Sequence, residues 1–374
     1  MNVDILNRDP MSRFGVDPKV SSRLMIADGD IHPRIMGAKA LYPWLAKRWQ
    51  EHYELFGARH RQAWEKGPAY PKMQPLASRR DAWTPDGKPP GSDLPFMQHQ
   101  LLDACNIEMG VLNPLNPSGQ GFQNQEMGAA FAHAVNHWQV AEWTSKEPRL
   151  KASIVVPYED AELAVKEIEY WAGHKDFVQI LLLSRANEPL GAKRYWPIYA
   201  AAQAANLPIG IHAFGYSGSP VTSSGWPSYY IEEMVGHAVC AQAGLTSLVI
   251  EGVFERFPGL RVVSIEAGVS WAPALMWRLD AQWKKLKAET PFLKKAPSEY
   301  LRTQVWWTSQ PIEEPEPRER IGEMLDWMGW DRLIFATDYP HWDFDDPAFA
   351  LPFKLTDTQR RAVFRENARG VYGC

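Results

Sequence analysis

Short apolar runs recur along the chain, with helical patterns in the intervals. The runs are Leu24–His32, Ile107–Asn113, Leu150–Pro157, Phe177–Ser184, Leu207–Ala213, Leu260–Ala267, Gln304–Ser309 and Arg332–Asp338. Most are nearly continuous, such as Val-Gln-Ile-Leu-Leu-Leu at 178–183, as in parallel strands covered on both faces. Amphipathic or Ala-rich stretches at 123–145, 159–173, 194–205, 230–257, 272–289, 313–328 and 356–369 read as helices. Alternation of this kind predicts right-handed βαβ crossovers. Eight strands favour a closed (β/α)8 barrel over an open sheet. No GxGxxG follows a strand and no GxxxxGK[ST] occurs, so dinucleotide and P-loop sites are not indicated. One domain over 1–374 is expected.

A single segment breaks the rhythm. After the first strand, 68 residues (33–100) pass before the next strand unit, and 67–95 alone hold seven prolines. Loops of this length in compact domains are usually functional or disordered. Tyr42, Trp44, Trp49, Tyr53 and Trp83 argue for order. A segment leaving a barrel strand's C-terminal end covers the face where barrel active sites sit, so 33–100 is expected over the mouth.

Composition narrows the function classes. The chain is 45% hydrophobic and 22% charged with a net charge of −4, which offers no electrostatic footprint for nucleic acid or an anionic membrane. No unbroken apolar run approaches the ~18 residues of a membrane span, and the first ten residues lack a secretory pattern. Three widely spaced cysteines form no CxxC pair, which fits a reducing cytoplasm. A small-molecule substrate is expected.

Candidate chemistry lies at the strand ends. Asp30 and His32 are two apart on the first strand and so share a face, giving half of a divalent metal site. Taken alone, a turn aspartate and an exposed histidine are the plainer reading of that pair. His212 ends the fifth strand, where the plainer role is a satisfied core histidine. Asp338 caps the buried eighth strand, a costly position unless the carboxylate is paired or metal-bound. Glu266 ends the sixth strand, where an ion pair is the plainer role. Their joint placement, ligand types closing strands one, five and eight with an acid on strand six, points to a metal centre.

With these residues the sequence resembles the amidohydrolase superfamily, in the branch typified by aminocarboxymuconate-semialdehyde decarboxylase. The matching stretches are the Asp30-Ile-His32 element, His212, Phe254-Glu-Arg-Phe-Pro-Gly-Leu-Arg261, Glu266-Ala-Gly-Val-Ser-Trp-Ala-Pro273, Thr337-Asp-Tyr-Pro-His-Trp-Asp343 and the ending Asn367-Ala-Arg-Gly-Val-Tyr372. The resemblance implies a barrel holding one divalent ion, zinc or manganese, through Asp30, His32, His212 and Asp338. An acid at the first ligand position hardens the set toward oxygen and makes manganese a serious competitor to zinc. Where the family often has a catalytic histidine, this chain has Glu266, so either Glu266 or His341 shuttles the proton.

The expected activity is hydrolysis of a small cyclic or aromatic carbonyl compound by a metal-activated water, with Asp338 as base and Glu266 and His341 assisting. The alternative is non-oxidative decarboxylation of an aromatic or dienoic acid at the same ligands. Arg185 is the candidate to bind a substrate carboxylate, with a surface salt bridge the equal alternative. A homodimer is expected. His133 and His137 read as a solvated helix face, His237 as structural, Asp28 as an orienting partner, and Glu313–Pro317 as a charged helix start.

Overall fold

A computed structural model describes residues 24–59, 75–215, 220–222, 224–351 and 353–374. The chain's first residues and 60–74 of the insertion lie outside the described residues. Eight strands form one sheet: β1 (Ile26–Ile31), β2 (Ile107–Leu112), β3 (Leu150–Val155), β4 (Phe177–Arg185), β5 (Ile209–Gly215), β6 (Val262–Ile265), β7 (Val305–Thr308) and β8 (Leu333–Ile334). They pair in parallel in sequence order. Backbone bonds close the ring between β8's continuation and β1: Gly29 N to Phe335 O (2.9 Å), Asp338 N to Asp30 O (3.1 Å) and His32 N to Tyr339 O (2.7 Å). This is the (β/α)8 barrel expected, with helices returning between the strands.

The barrel interior is packed solid. Ala27, Met109, Val111, Val178, Val263, Ile265 and Ile334, drawn from opposite walls, form one cluster with Ala368, Val371 and Tyr372 of the last helix. Arg365 and Arg369 pair with Glu108 at the start of β2 (2.6 and 3.2 Å), fixing that helix at the barrel's lower end. Polar groups therefore collect at the upper end, where the strands finish.

Three expected elements differ. Strand eight shrinks to Leu333–Ile334 because the chain beyond it bonds irregularly to β1 and turns left-handed at Asp338, φ +58°. The expected helix 230–257 divides into Tyr230–Ile250 and Val253–Arg256, broken at Gly252 with φ +78°. The expected helix 313–328 starts only at Arg320. Glu313 does not begin a helix: its Oε2 accepts the Val269 and Ser270 amides (3.0 and 2.7 Å) and pins the turn after β6. The helix Tyr230–Ile250 is long and apolar enough by composition to cross a membrane, but its inner face packs on β4 and β5.

Residues 75–91 of the insertion lie against the strand-eight loop and the end of β1, while its 38–56 part packs on the helix Gln125–Gln139 instead of the mouth. Arg79 N donates to Pro340 O (2.9 Å), Trp342 N to Ala77 O (2.8 Å), and Ser78 bridges His341. Further along, Arg34 N donates to Gly91 O (2.7 Å). Gly91 has φ +73°, and a Cβ there would collide with the His32 carbonyl, so only glycine permits this approach.

Candidate metal centre at the barrel mouth

The strand ends bring together Asp30, His32, His212, Glu266, Asp338 and His341. Asp30, His32, His212 and Asp338 are buried. His32 Nε2 stands 3.0 Å from Asp338 Oδ1 and 3.2 Å from Asp30 Oδ1. His212 Nε2 lies 2.8 Å from Glu266 Oε2 and 3.6 Å from Asp30 Oδ2. His341 Nδ1 donates to Asp338 Oδ1 (2.6 Å), and its ring stacks on His32 with centroids 4.5 Å apart.

The donor atoms are aimed rather than merely near. His32 Nδ1 donates to the Asn113 carbonyl (2.8 Å), which leaves Nε2 with its lone pair toward the cluster. The Asn113 amide also donates to Asp30 Oδ1 (2.8 Å), while its Oδ1 accepts from Ser153 Oγ and Gln179 Nε2 (2.8 Å each). One residue thus orients two ligands and is itself held by β3 and β4. Asp28 sits below: its carboxylate accepts the Thr337 amide (2.9 Å), the Thr337 hydroxyl (2.6 Å) and the Asp30 amide (3.1 Å). That is the orienting role expected of it, and burial pushes its pKa up to about 7.

Asp30 Oδ2, His32 Nε2, His212 Nε2 and Asp338 Oδ2 are buried and make no hydrogen bond among the described residues. Orphaned buried polar atoms cost about 1–3 kcal/mol each unless something satisfies them. The electrostatics say what does. Burial alone lowers His212, but Glu266 and Asp30 outweigh it and raise it to about 9. Burial likewise opposes charge on His32, yet Asp30 and Asp338 lift it well above its ordinary value. Burial raises Asp338 to about 6 against the pull of His32. Converging carboxylates demand positive charge at this point. The donors fit one divalent cation, which supplies that charge and satisfies the orphaned atoms together.

Arg185 is the last residue of β4, buried and in register with Gly215 of β5, at the same end of the barrel. A cleft of about 110 Å³ opens beside the cluster, between His32 and His341 on one side and Arg34, Leu76, Ser78 and Pro90 of the insertion on the other. His237, expected to be structural, is brought to the site's edge. Ala241, one turn on, packs on Ala213 and Ala267, and Cys240 Sγ bonds the Ser184 carbonyl (3.4 Å). Burial lowers His237, which lies within electrostatic reach of Glu266, His212 and Arg185.

The pair expected to be a solvated face is tied down instead. His133 Nδ1 pairs with Glu167 (3.0 Å), and His137 Nε2 lies 3.1 Å from His133 Nε2, because Tyr170 and Trp171 of the next helix pack against both rings. They stay out of the metal centre.

A buried cluster of acids and imidazoles at the C-terminal mouth defines a metal-dependent barrel enzyme. The chain belongs to the amidohydrolase family, whose model matches residues 28–374. It is 24% identical over 300 residues, 75% of this chain, to the gamma-resorcylate decarboxylase of Polaromonas sp. strain JS666, of which it covers 87%. The dihydroxybenzoic acid decarboxylase structure from the same strain, with bound manganese and the inhibitor 2-nitroresorcinol, shares the fold. There the TM-score is 0.65 at 19% identity, over 93% of this chain and 97% of that one. The 5-carboxyvanillate decarboxylase of Sphingomonas paucimobilis gives a TM-score of 0.67 at 20% identity, over 94% and 99%.

Proposed function

We propose that this enzyme removes the carboxyl group from an aromatic acid carrying a hydroxyl beside its carboxylate, without oxidation and with one divalent metal ion, manganese in preference to zinc. The observation that carries this reading is the buried donor cluster closing β1, β5 and β8. The match to decarboxylases, over 75% of the chain in sequence and 93–94% in fold, supports C–C cleavage over hydrolysis, the reaction first expected from the sequence.

Asp30, His32, His212 and Asp338 would hold the ion. An ion held there would supply Lewis-acid chemistry, a positive charge toward the substrate's oxygens and against the negative charge that develops as the bond breaks. Arg185, at the end of β4, meets the substrate carboxylate. The C–C bond electrons stay on the ring carbon, which takes a proton while carbon dioxide leaves. Glu266 and His341 flank the cluster on the open side, where that proton is delivered. His341 is held for the task by Asp338 (2.6 Å), and burial keeps its pKa down at about 4, so a proton it receives is readily passed on. Leu76 and Ser78 of the insertion line the cleft on this side.

The test is a panel of hydroxybenzoates, including 2,6-dihydroxybenzoate and 5-carboxyvanillate, set against aromatic esters, lactones and amides. The reading predicts carbon dioxide release from at least one acid. Turnover confined to the esters, lactones or amides would return the enzyme to hydrolysis.

A further inference from the structure

Glu266 and Asp338 end different strands in the same unusual backbone. Their φ angles are +54° and +58°, a left-handed region that strains a non-glycine residue. Both kinks are pinned: Glu266 N donates to Thr308 Oγ1 (3.0 Å) and Asp338 N to Asp30 O (3.1 Å). Each turns a strand-end carboxylate toward the cluster. The device that aims an expected metal ligand therefore also aims Glu266.

The approach of Glu266 to His212 is a short ion pair that is poorly aligned for a hydrogen bond. Oε2 stands 2.8 Å from Nε2, yet that nitrogen makes no N–H···O bond among the described residues. Two donors about 2.1 Å from one cation, at right angles, stand about 3 Å apart. The His32–Asp338 and His32–Asp30 separations of 3.0 and 3.2 Å fall in the same range. Glu266 also belongs to both four-residue groupings of the centre. Its oxygen lies within 4.8 Å of donors from Asp30, His32 and His212, and equally of donors from His32, Asp338 and His341.

We infer that Glu266 is itself a ligand of the divalent ion, making five protein donors: three carboxylates and two imidazoles. His341 lines the open cleft with its Nδ1 on Asp338, and we leave it outside the set as the group nearest the substrate. Three anionic oxygens suit a hard cation such as Mn2+ better than a softer one. With Glu266 committed to the ion, His341 becomes the group that handles the proton. The ligand assignment stands on the metal centre alone, whichever bond the enzyme breaks.

The experiment uses the whole protein with Mn2+ and Co2+ as probes and no substrate. Glu266→Gln should weaken Mn2+ binding by roughly tenfold or more, read as free Mn2+ by electron paramagnetic resonance. It should also shift the visible d–d bands of the Co2+ protein, because the coordination number changes. Glu266→Asp keeps the charge but draws the oxygen back by one methylene. It should shift the Co2+ bands as well, and it serves if the glutamine variant does not fold. Co2+ bands unchanged in these variants overturn the assignment whatever happens to affinity, since lost charge alone weakens binding without altering coordination. A wild-type protein that binds neither ion overturns it too. Absence of decarboxylation alongside shifted bands would contradict the proposed reaction and leave the ligand in place.

Discussion

The Asp28 carboxylate grips Thr337 twice, through the amide (2.9 Å) and the hydroxyl (2.6 Å), and so ties the first strand to the last one residue before Asp338. The barrel is closed and the metal centre aimed by the same contact. Asp28→Ala leaves the Thr337 amide and hydroxyl and the Asp30 amide buried without an acceptor. Each orphaned group costs about 1–3 kcal/mol, so the metal-free variant should lose about 3 kcal/mol or more in denaturant unfolding. A variant as stable as wild type would show that other groups close the ring.

Much of this was legible in the residues themselves. Near-continuous apolar runs read as parallel strands, and the polar residues that end them marked Asp30, His32, His212, Glu266 and Asp338. What escaped depends on contacts distant in sequence. Asn113 ends β2 as visibly as Asp30 ends β1, but its reach to two ligands appears only when β1 and β2 pair. His237 looks like any helical histidine until Ala241 packs on Ala213 and Ala267. Glu313 resembled a helix start because acids favour that end of the dipole, yet the stronger demand was for an acceptor at the bare Val269 and Ser270 amides.

Asp338→Asn keeps the size of the side chain and one carbonyl oxygen while removing its charge. The single remaining oxygen cannot both face the ion and accept from His341 Nδ1, so with the ion at least partly bound the amide NH2 is turned to His341 and its positioning bond is lost. Elemental analysis alongside kinetics should show retained metal and a kcat reduced by roughly 10²–10⁴. Near wild-type turnover by the metal-loaded variant would remove Asp338 from the chemistry.

Gly91→Ala tests the placement of the insertion over the mouth. The new Cβ collides with the His32 carbonyl while the Pro340 ring stays at contact distance (3.4 Å), so the segment must shift away from His32. Turnover should fall more than metal content does. Unchanged kinetics would mean that the segment's seating against His32 is irrelevant to the site.

His133 gives a pH signature away from the metal. Its hydrogen bond to Glu167 raises its pKa above the usual 6.5, against burial that lowers it. The folded state favours the charged ring, so the pair's stabilisation is complete below pH 6.5 and is lost as pH rises through the raised value. Thermal unfolding of His133→Gln should therefore decline less steeply with rising pH than wild type over that window. Parallel curves would place the pH dependence elsewhere.

The account's central claim is that the donors closing β1, β5 and β8 hold one ion and that C–C cleavage depends on it. The most direct measurement strips the protein with a chelator and titrates Mn2+ back. Bound metal and carbon dioxide release from 2,6-dihydroxybenzoate, or whichever acid the panel identifies, are followed together. The account predicts that release vanishes on stripping and returns in proportion to occupancy. It should level off at about one ion per chain and stay low at the same total Mn2+ in His212→Ala. Carbon dioxide release that persists in stripped protein, or full occupancy in His212→Ala, would contradict it.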